Sequence, residues 1–344
     1  MFESNRRPLA AGDRFPNFVM RDTEDRVCEL YTAISGGPIM VLVLAPGDTA
    51  GANVLNYIRQ NAGPLDERAL QTFVICEPAL ANGDGPARLW LLPDADGSAA
   101  ESYLGMAQVK APAAFVLDPN QRIVGVHAGA DPFALMGAVT ATLDRHACDR
   151  EQRAINGMAP VLMIPNVLAP DMVARLIALW ESGHDDGMVR HGDDDGGDKT
   201  VNYGFKRRRD HVIDDPDLDY ELTDLLFPRI AQEVAKVHYL ENWIFERFRV
   251  GCYEATDAGF FAPHRDNFNV DVQHRKFAVT VNLNSGDYEG GGLRFPEYGP
   301  EVFSPPTGGA ILFSCSLLHE VLPVTSGRRF TLLNFLLANS PAGA

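Results

Sequence analysis

No stretch of this 344-residue chain approaches the ~20 consecutive apolar residues that span a bilayer, so no membrane partner is expected. The opening MFESNRRPLAAGD carries two arginines but no apolar run behind them, and does not read as a secretory leader; a cytoplasmic protein is the expectation. Cysteine is sparse. Cys28, Cys76, Cys148, Cys252 and Cys315 are odd in number, widely scattered and free of any CxxC pair, which argues against a disulfide framework or a zinc-thiolate site and for reduced thiols. Basic residues are in deficit, 30 against 46 acidic ones. The net charge of −16 repels phosphate backbones, so nucleic acid is not an expected partner in spite of the local run Lys206-Arg207-Arg208-Arg209.

What is present is a globular composition, 46% hydrophobic and 22% charged, in a chain long enough for two domains with a core each. Over the first 146 residues the apolar runs IMVLVLA (39 to 45), FVICEP (73 to 78), AFVLD (114 to 118) and IVGVHAG (123 to 129) are separated by amphipathic stretches. Buried strands alternating with helices predict an α/β sandwich. The opening GDRFPNF, the strand ending in Ala45-Pro46-Gly47-Asp48-Thr49 and the later Ala111-Pro112-Ala113-Ala114-Phe115-Val116-Leu117-Asp118 together resemble the peroxiredoxin branch of the thioredoxin fold over residues 8 to 146. Peroxiredoxins need a thiolate just after the Pro and Thr of that first loop, because the thiolate is the nucleophile that attacks peroxide. Here Gly51, Ala52, Asn53 and Val54 stand in its place, and Cys76 lies inside an apolar strand, where a buried, inert thiol is expected. Residues 1–148 are therefore read as a thioredoxin-like domain without a peroxidatic cysteine, kept for packing, partner binding or homodimerisation.

Residues 149–159 are polar, run into Gly157-Met158-Ala159-Pro160 and suit a linker. The second domain, residues 160–344, opens with VLMIPNVL. A helix then begins at Pro170, with Asp171 behind it and apolar residues at 173, 176, 177 and 180. A Gly/Asp-rich stretch from Gly183 to Gly204 reads as a loop, and a second helix is expected near Pro216 to Val237. Strand-rich segments follow: WIFERFRVGCY, FAVTVNLN, AILFSC and RFTLLNFLL. Helices first and antiparallel strands after predict a jelly-roll (double-stranded β-helix, cupin-like) barrel with helices packed on one side.

Nine histidines in a chain with 46 acidic residues give about one His-x-Asp pair by chance, and three occur. His184/Asp186 and His191/Asp193 fall in the Gly/Asp loop and read as solvated residues. His264/Asp266 differs in its surroundings. In an extended segment, residues i and i+2 share a face about 6.5–7 Å apart, so both side chains can close on one ion, with a third ligand supplied by a neighbouring strand. His319, just after AILFSCSLL, can supply it. Two imidazoles and a carboxylate match the facial triad of non-haem Fe(II) oxygenases, although the same set alone also suits a zinc hydrolase.

The residues that follow, His319-Glu320-Val321-Leu322-Pro323-Val324-Thr325-Ser326-Gly327-Arg328-Arg329, complete a longer pattern: HxD, a distant His, and Arg ten residues beyond it within HEVxPVxxGxR. Over residues 160 to 340 this resembles the prolyl 4-hydroxylase branch of the 2-oxoglutarate oxygenases. The resemblance implies Fe(II) on His264, Asp266 and His319, with 2-oxoglutarate and O2 as co-substrates and ascorbate as an optional reductant. It places the C5 carboxylate of 2-oxoglutarate on Arg329, and sets Tyr253 and Asn282 at positions that often line the co-substrate pocket. Strand parity puts Arg329 and Thr331 on one face and turns Arg328 to the other. A core tyrosine with a satisfied hydroxyl is an equally natural reading of Tyr253, and Gly290 to Gly292 read as a tight turn or bulge. His274 reads as an exposed polar residue.

The reaction so implied converts 2-oxoglutarate and O2 to succinate and CO2 while a substrate, a small molecule or a protein side chain, is oxidised. Related halogenases lack the carboxylate of the triad, so Asp266 favours hydroxylation. Lys206 to Asp210 reads either as a rim that attracts an anionic substrate or as a solvated patch offsetting the aspartates before it. A non-catalytic sensor or scaffold built from two degenerate domains is the alternative, although such a protein has no need of an intact triad and Arg329.

Overall fold

The computed structural model describes the chain except residues 1–6, 34–35, 62, 83–87, 148–154, 156, 188, 191–198, 269 and 339–344. It divides into two compact units, Met1–Glu151 and Gln152–Ala344. Most of the expected linker lies outside the described residues. Among the described residues no helix is long and apolar enough to cross a membrane.

In the first unit, strand β1 (Ile39–Val43) is followed by helix α1 (Thr49–Gln60), β2 (Gln71–Cys76), β3 (Leu89–Pro93), α2 (Ser98–Ala107), β4 (Ala113–Leu117), β5 (Ile123–Ala128) and α3 (Pro132–Arg145). The sheet order is β3-β2-β1-β4-β5, with β1, β2 and β3 parallel and both pairings of β4 antiparallel. Both faces are covered. Met40, Leu42 and Val74 meet Val54 and Ile58 of α1 and Val139 of α3, whereas Val41, Phe73 and Phe115 meet Phe15 and Tyr103. A strand buried on two faces needs apolar residues at every position, which is why these runs do not alternate. Asp48 and Asp131 cap α1 and α3 by accepting from the amides of Ala50 and Phe133. Residues Gly51 to Val54 form the first turns of α1, and Cys76 is fully buried, its thiol pushed up to about 11 by burial.

In the second unit, helices α4 (Pro170–Ser182) and α5 (Pro216–His238) flank β6 (Arg209–Val212) in sequence and precede ten strands; Trp243–Phe245 and Tyr288–Gly290 pair with the last of them, and the other eight are β7 (Arg249–Glu254), β8 (Phe261–His264), β9 (Arg275–Asn282), β10 (Leu293–Arg294), β11 (Val302–Phe303), β12 (Ala310–Ser314), β13 (His319–Val321) and β14 (Val324–Ala338). The larger sheet contains β12-β9-β14-β7-β6 and the smaller is β8-β13-β10-β11. From β7 to β14 the chain crosses repeatedly between the sheets, and of these eight strands β10 and β11 alone follow one another in one sheet. This is a jelly-roll winding. Val250, Cys252, Val279, Val281, Phe330 and Leu332 pack outward on the helices with Leu176, Trp180, Leu222 and Ile230. Alternate residues Tyr253, Ala278 and Phe313 turn inward against Leu293, Phe295 and Val321 of the smaller sheet.

The Gly/Asp stretch is not simply a loop. Asp185 and Asp186 extend the larger sheet by pairing with Asp210 and Arg209, and Val189–Arg190 pairs with Lys199–Thr200. His184 is exposed, yet its ring stacks on Trp180 at 3.7 Å and its Nδ1 donates to the Trp180 carbonyl. The His191/Asp193 pair lies outside the described residues.

Candidate metal centre

The period-two pairing of the smaller sheet sets His264 of β8 directly opposite His319 of β13. Asp266 does not continue the strand. It sits in the turn beyond it, held by its amide on the Cys315 carbonyl at 2.9 Å. Its two carboxylate oxygens lie 3.4 Å from His264 Nε2 and 3.4 Å from His319 Nε2. One ligand atom from each of the three residues falls within 4.8 Å of the others, so the set could hold one metal ion. Ligands ~2.1 Å from an ion and at right angles to one another stand about 3 Å apart, close to the spacing found.

Hydrogen bonding fixes which nitrogens face the ion. His264 Nδ1 contacts the Ala262 carbonyl at 2.8 Å and His319 Nδ1 the Leu317 carbonyl at 3.0 Å. A carbonyl can only accept, so each Nδ1 carries its proton and each Nε2 presents a lone pair toward Asp266. Phe261 stacks on the His264 ring at 3.6 Å, and Phe313 lies edge-on to His319 at 4.6 Å. Arg265 donates to Glu297 at 2.7 Å and to the Ser316 carbonyl, and Glu297 accepts the Leu318 amide at 3.0 Å. That network ties the His264–Asp266 segment to the approach of His319. Burial would raise the Asp266 carboxyl, but with no metal ion between them the attraction of His319 and His264 in their protonated form outweighs it and holds the carboxyl at about 2. Burial lowers His319 and favours its neutral, metal-binding form, against the pull of Asp266.

The ligand set opens on a cavity of about 620 Å³, a size suited to small molecules. Tyr253 lines it, whereas Arg329, Asn282 and Thr331 are fully buried and are not among its lining residues. Arg329 Nη2 donates to Asn282 Oδ1 at 2.9 Å, but its Nε and Nη1 are buried with no hydrogen-bond partner among the described residues. Asn282 is held by its own amide, which donates to the Pro305 carbonyl at 3.0 Å and the Tyr288 hydroxyl at 3.1 Å. The Arg329 guanidinium carbon lies 5.6 Å from the centre of the Tyr253 ring, and Thr331 donates to the Gly251 carbonyl. Arg328, on the opposite face, is exposed and pairs with Glu181 at 2.8 Å. A buried guanidinium with two idle donors is suited to an incoming carboxylate.

The basic run is not a solvated patch throughout. Lys206 and Asp210 are buried and line the cavity, as does Arg208, whose side chain is largely covered, and Arg249 joins them from β7. Arg208 grips Asp210 through two bonds of 2.6 and 2.8 Å, and its Nη1 reaches the Tyr253 hydroxyl at 3.3 Å. Burial opposes both charges, yet each outweighs it for the other: Asp210 is held at about 2, and Arg208 lies above its ordinary value. Burial and the neighbouring Arg208 charge push Lys206 down to about 7, against the pull of Asp210. The clue in the sequence is the alternation Lys206, Arg208, Asp210, which shares one face of an extended segment. His274 is exposed, as expected.

Residues 248–337 match the 2OG-Fe(II) oxygenase superfamily. The multifunctional procollagen lysine hydroxylase and glycosyltransferase LH3 of Rattus norvegicus is 35% identical over 86 residues, which are 24% of this chain and 11% of that protein. The PKHD-type hydroxylase ABSDF3031 of Acinetobacter baumannii (strain SDF) is 29% identical over 181 residues, 48% of this chain and 73% of the relative. The viral collagen prolyl hydroxylase vCPH from Paramecium Bursaria Chlorella virus-1, in complex with 2OG, is 18% identical with a TM-score of 0.40, covering 52% of this chain and 96% of that one. The chain spans about a tenth to a fifth of the length of the procollagen lysine hydroxylases it matches. The C-terminal unit thus carries an Fe(II)/2-oxoglutarate-dependent dioxygenase domain, of a family that uses Fe(II), 2-oxoglutarate and O2.

Proposed function

We propose that the chain is a hydroxylase of the prolyl 4-hydroxylase-like branch, with Fe(II) held by His264, Asp266 and His319 and 2-oxoglutarate anchored through its C5 carboxylate by Arg329. The observation that carries this reading is the convergence of two Nε2 lone pairs and one ionised carboxylate, inside the region that matches the oxygenase family. When bound, the ion and its co-substrates supply the oxidising chemistry, by which 2-oxoglutarate and O2 become succinate and CO2 as the substrate is oxidised.

The work of the protein is ligation, orientation and exclusion of water. The Ala262 and Leu317 carbonyls keep both imidazoles in the ligating tautomer, and Phe261 and Phe313 fix their planes. Arg329 offers two nitrogens without a partner among the described residues, and its third donates to Asn282. Because the guanidinium stands behind the cavity wall, co-substrate binding requires the cavity to extend past Tyr253. The inward face shared by Thr331 and Tyr253 makes both contributors to that extension. Asp266 occupies the position that halogenases leave open, which favours hydroxylation as the outcome.

Succinate formation by protein loaded with Fe(II) without oxygen and then exposed to O2 tests this reading. His264→Ala abolishes turnover, on the order of a 10²-fold loss or more. Equal succinate from wild type and His264→Ala would contradict the assignment.

For the first unit we infer a peroxiredoxin-type thioredoxin fold in an accessory role. The mixed strand order and helices on both sheet faces support it, and the absence of cysteine from Gly51 to Val54 argues against peroxidase chemistry.

A further inference from the structure

The inner face of the larger sheet is laid out in rows, because residues paired across neighbouring strands stand on the same face. Phe313, Ala278 and Phe335 form one row, Ile311, Thr280 and Leu333 the next, and Asn282 with Thr331 the third. Tyr253 and Arg329 pair beyond them. The first row meets the metal centre, since Phe313 lies edge-on to His319 at 4.6 Å. The third holds the buried guanidinium, with Asn282 Oδ1 accepting from Arg329 Nη2 at 2.9 Å. Thr280 stands between the two, about 6.5–7 Å along its strand from both Ala278 and Asn282.

Thr280 is only 8% exposed and lines the cavity, whereas Asn282 and Thr331, one row further in, do not. It therefore marks the inner end of the open space, the point from which the cavity has to extend to reach Arg329. Its neighbours Ala278, Ile311 and Leu333 on this face are apolar, and its hydroxyl has no hydrogen-bond partner among the described residues. The polar groups of the next row are already engaged. Asn282 donates to the Pro305 carbonyl and the Tyr288 hydroxyl and accepts from Arg329, and Thr331 donates to the Gly251 carbonyl. A hydroxyl buried among apolar groups is unfavourable until a partner meets it, and valine would fill nearly the same space without that penalty.

We propose that Thr280 is a further co-substrate-binding residue, whose hydroxyl donates to a carboxylate oxygen of 2-oxoglutarate where that molecule reaches from Arg329 toward the metal ligands. The proposal rests on the reading of the site as an Fe(II)/2-oxoglutarate hydroxylase. A five-carbon diacid anchored at Arg329 and directed at His264, Asp266 and His319 has to pass the row of Thr280. Its carboxylates only accept hydrogen bonds, and the threonine hydroxyl has one proton to give. Arg329 supplies the charge that holds the molecule, and Thr280 fixes its direction along the sheet.

Calorimetric titration of the full chain with 2-oxoglutarate tests this, with Fe(II) loaded and oxygen excluded so that binding is read without turnover. The affinity falls about tenfold in Thr280→Val, as loss of one hydrogen bond to a charged group requires, and returns in part in Thr280→Ser. Thermal melting without 2-oxoglutarate separates a ligand contact from a structural one. Thr280→Val melts at or above the wild-type midpoint, because it removes a hydroxyl that the fold leaves unpaired. An affinity within about twofold of wild type in Thr280→Val would overturn the proposal. So would a lowered midpoint, which would give the hydroxyl a partner in the fold, or an affinity that Thr280→Ser fails to recover. Each of these outcomes leaves the hydroxylase reading in place. Failure of 2-oxoglutarate to bind wild type with Fe(II) in place would sink the reading beneath it, and the proposal with it.

Discussion

Two buried cations in this unit are paid for differently. Arg329 keeps two donors idle in the interior, whereas Lys206 relieves the cost of burial through its proton. The folded-state value of Lys206, about 7, lies below its ordinary 10.5, so between those values the unfolded chain binds more protons than the folded one. Stability therefore rises as pH rises through that window, and the penalty is complete below about pH 7. Removing the charge should help. Lys206→Met is expected to raise the thermal midpoint at pH 7, by an effect on the order of 1 kcal/mol or more. The gain should fade as pH approaches 10.5, and a midpoint lowered at pH 7 would show that the ion pair with Asp210 outweighs burial. Parity along RFTLLNF was enough to separate Arg329 and Thr331 from Arg328, and the structure buries the first two and exposes the third. The ionic cluster was harder to read. Lys206 and Arg208 look like half of a surface-charge run until the extended segment that leads into β6, bridged at Lys206 to Phe261, turns the alternate residues inward.

At the scale of elements, β14 organises the second unit because it pairs with β7 and β9 and carries Arg329 between them. Its start is braced by the strand Tyr288–Gly290, whose register with residues 324 to 327 shifts in a bulge between Glu289 and Gly290. Gly290 has φ +75°, and a Cβ there would lie 2.3 Å from the Pro323 carbonyl oxygen. Only glycine fits both conditions. Gly290→Ala is expected to destabilise the unit by roughly 1–3 kcal/mol, measured by denaturant unfolding. An unchanged midpoint would mean that the bulge relaxes freely. Amphipathic spacing and proline at the first position marked α4 and α5 closely, since both signals are local. The pairing of Asp185–Asp186 with β6 was not marked, because exposed aspartates in a glycine-rich stretch carry no strand periodicity, and the partner that orders them is distant in sequence.

Across the whole molecule, the alternation of apolar runs and amphipathic stretches exposed an α/β first unit, and helices followed by strands exposed a β-rich second one. Sheet order depends on contacts between distant segments, which no local pattern records. The first unit keeps its described thiols sealed: Cys28 and Cys76 are both raised to about 11 by burial. Protein reduced beforehand is accordingly expected to consume peroxide no faster than its Cys76→Ser variant, and a rate lost on that substitution would restore a redox role to the unit.

The proposed function depends most on which cation receives 2-oxoglutarate. The measurement that decides it is the 2-oxoglutarate concentration for half-maximal succinate formation in wild type, Arg329→Met and Arg249→Met, each loaded with Fe(II). An increase of about tenfold or more is expected for Arg329→Met, and little change, less than about twofold, for Arg249→Met. The reverse order would contradict it, by moving the co-substrate from the buried guanidinium behind Tyr253 to the ionic cluster in the cavity.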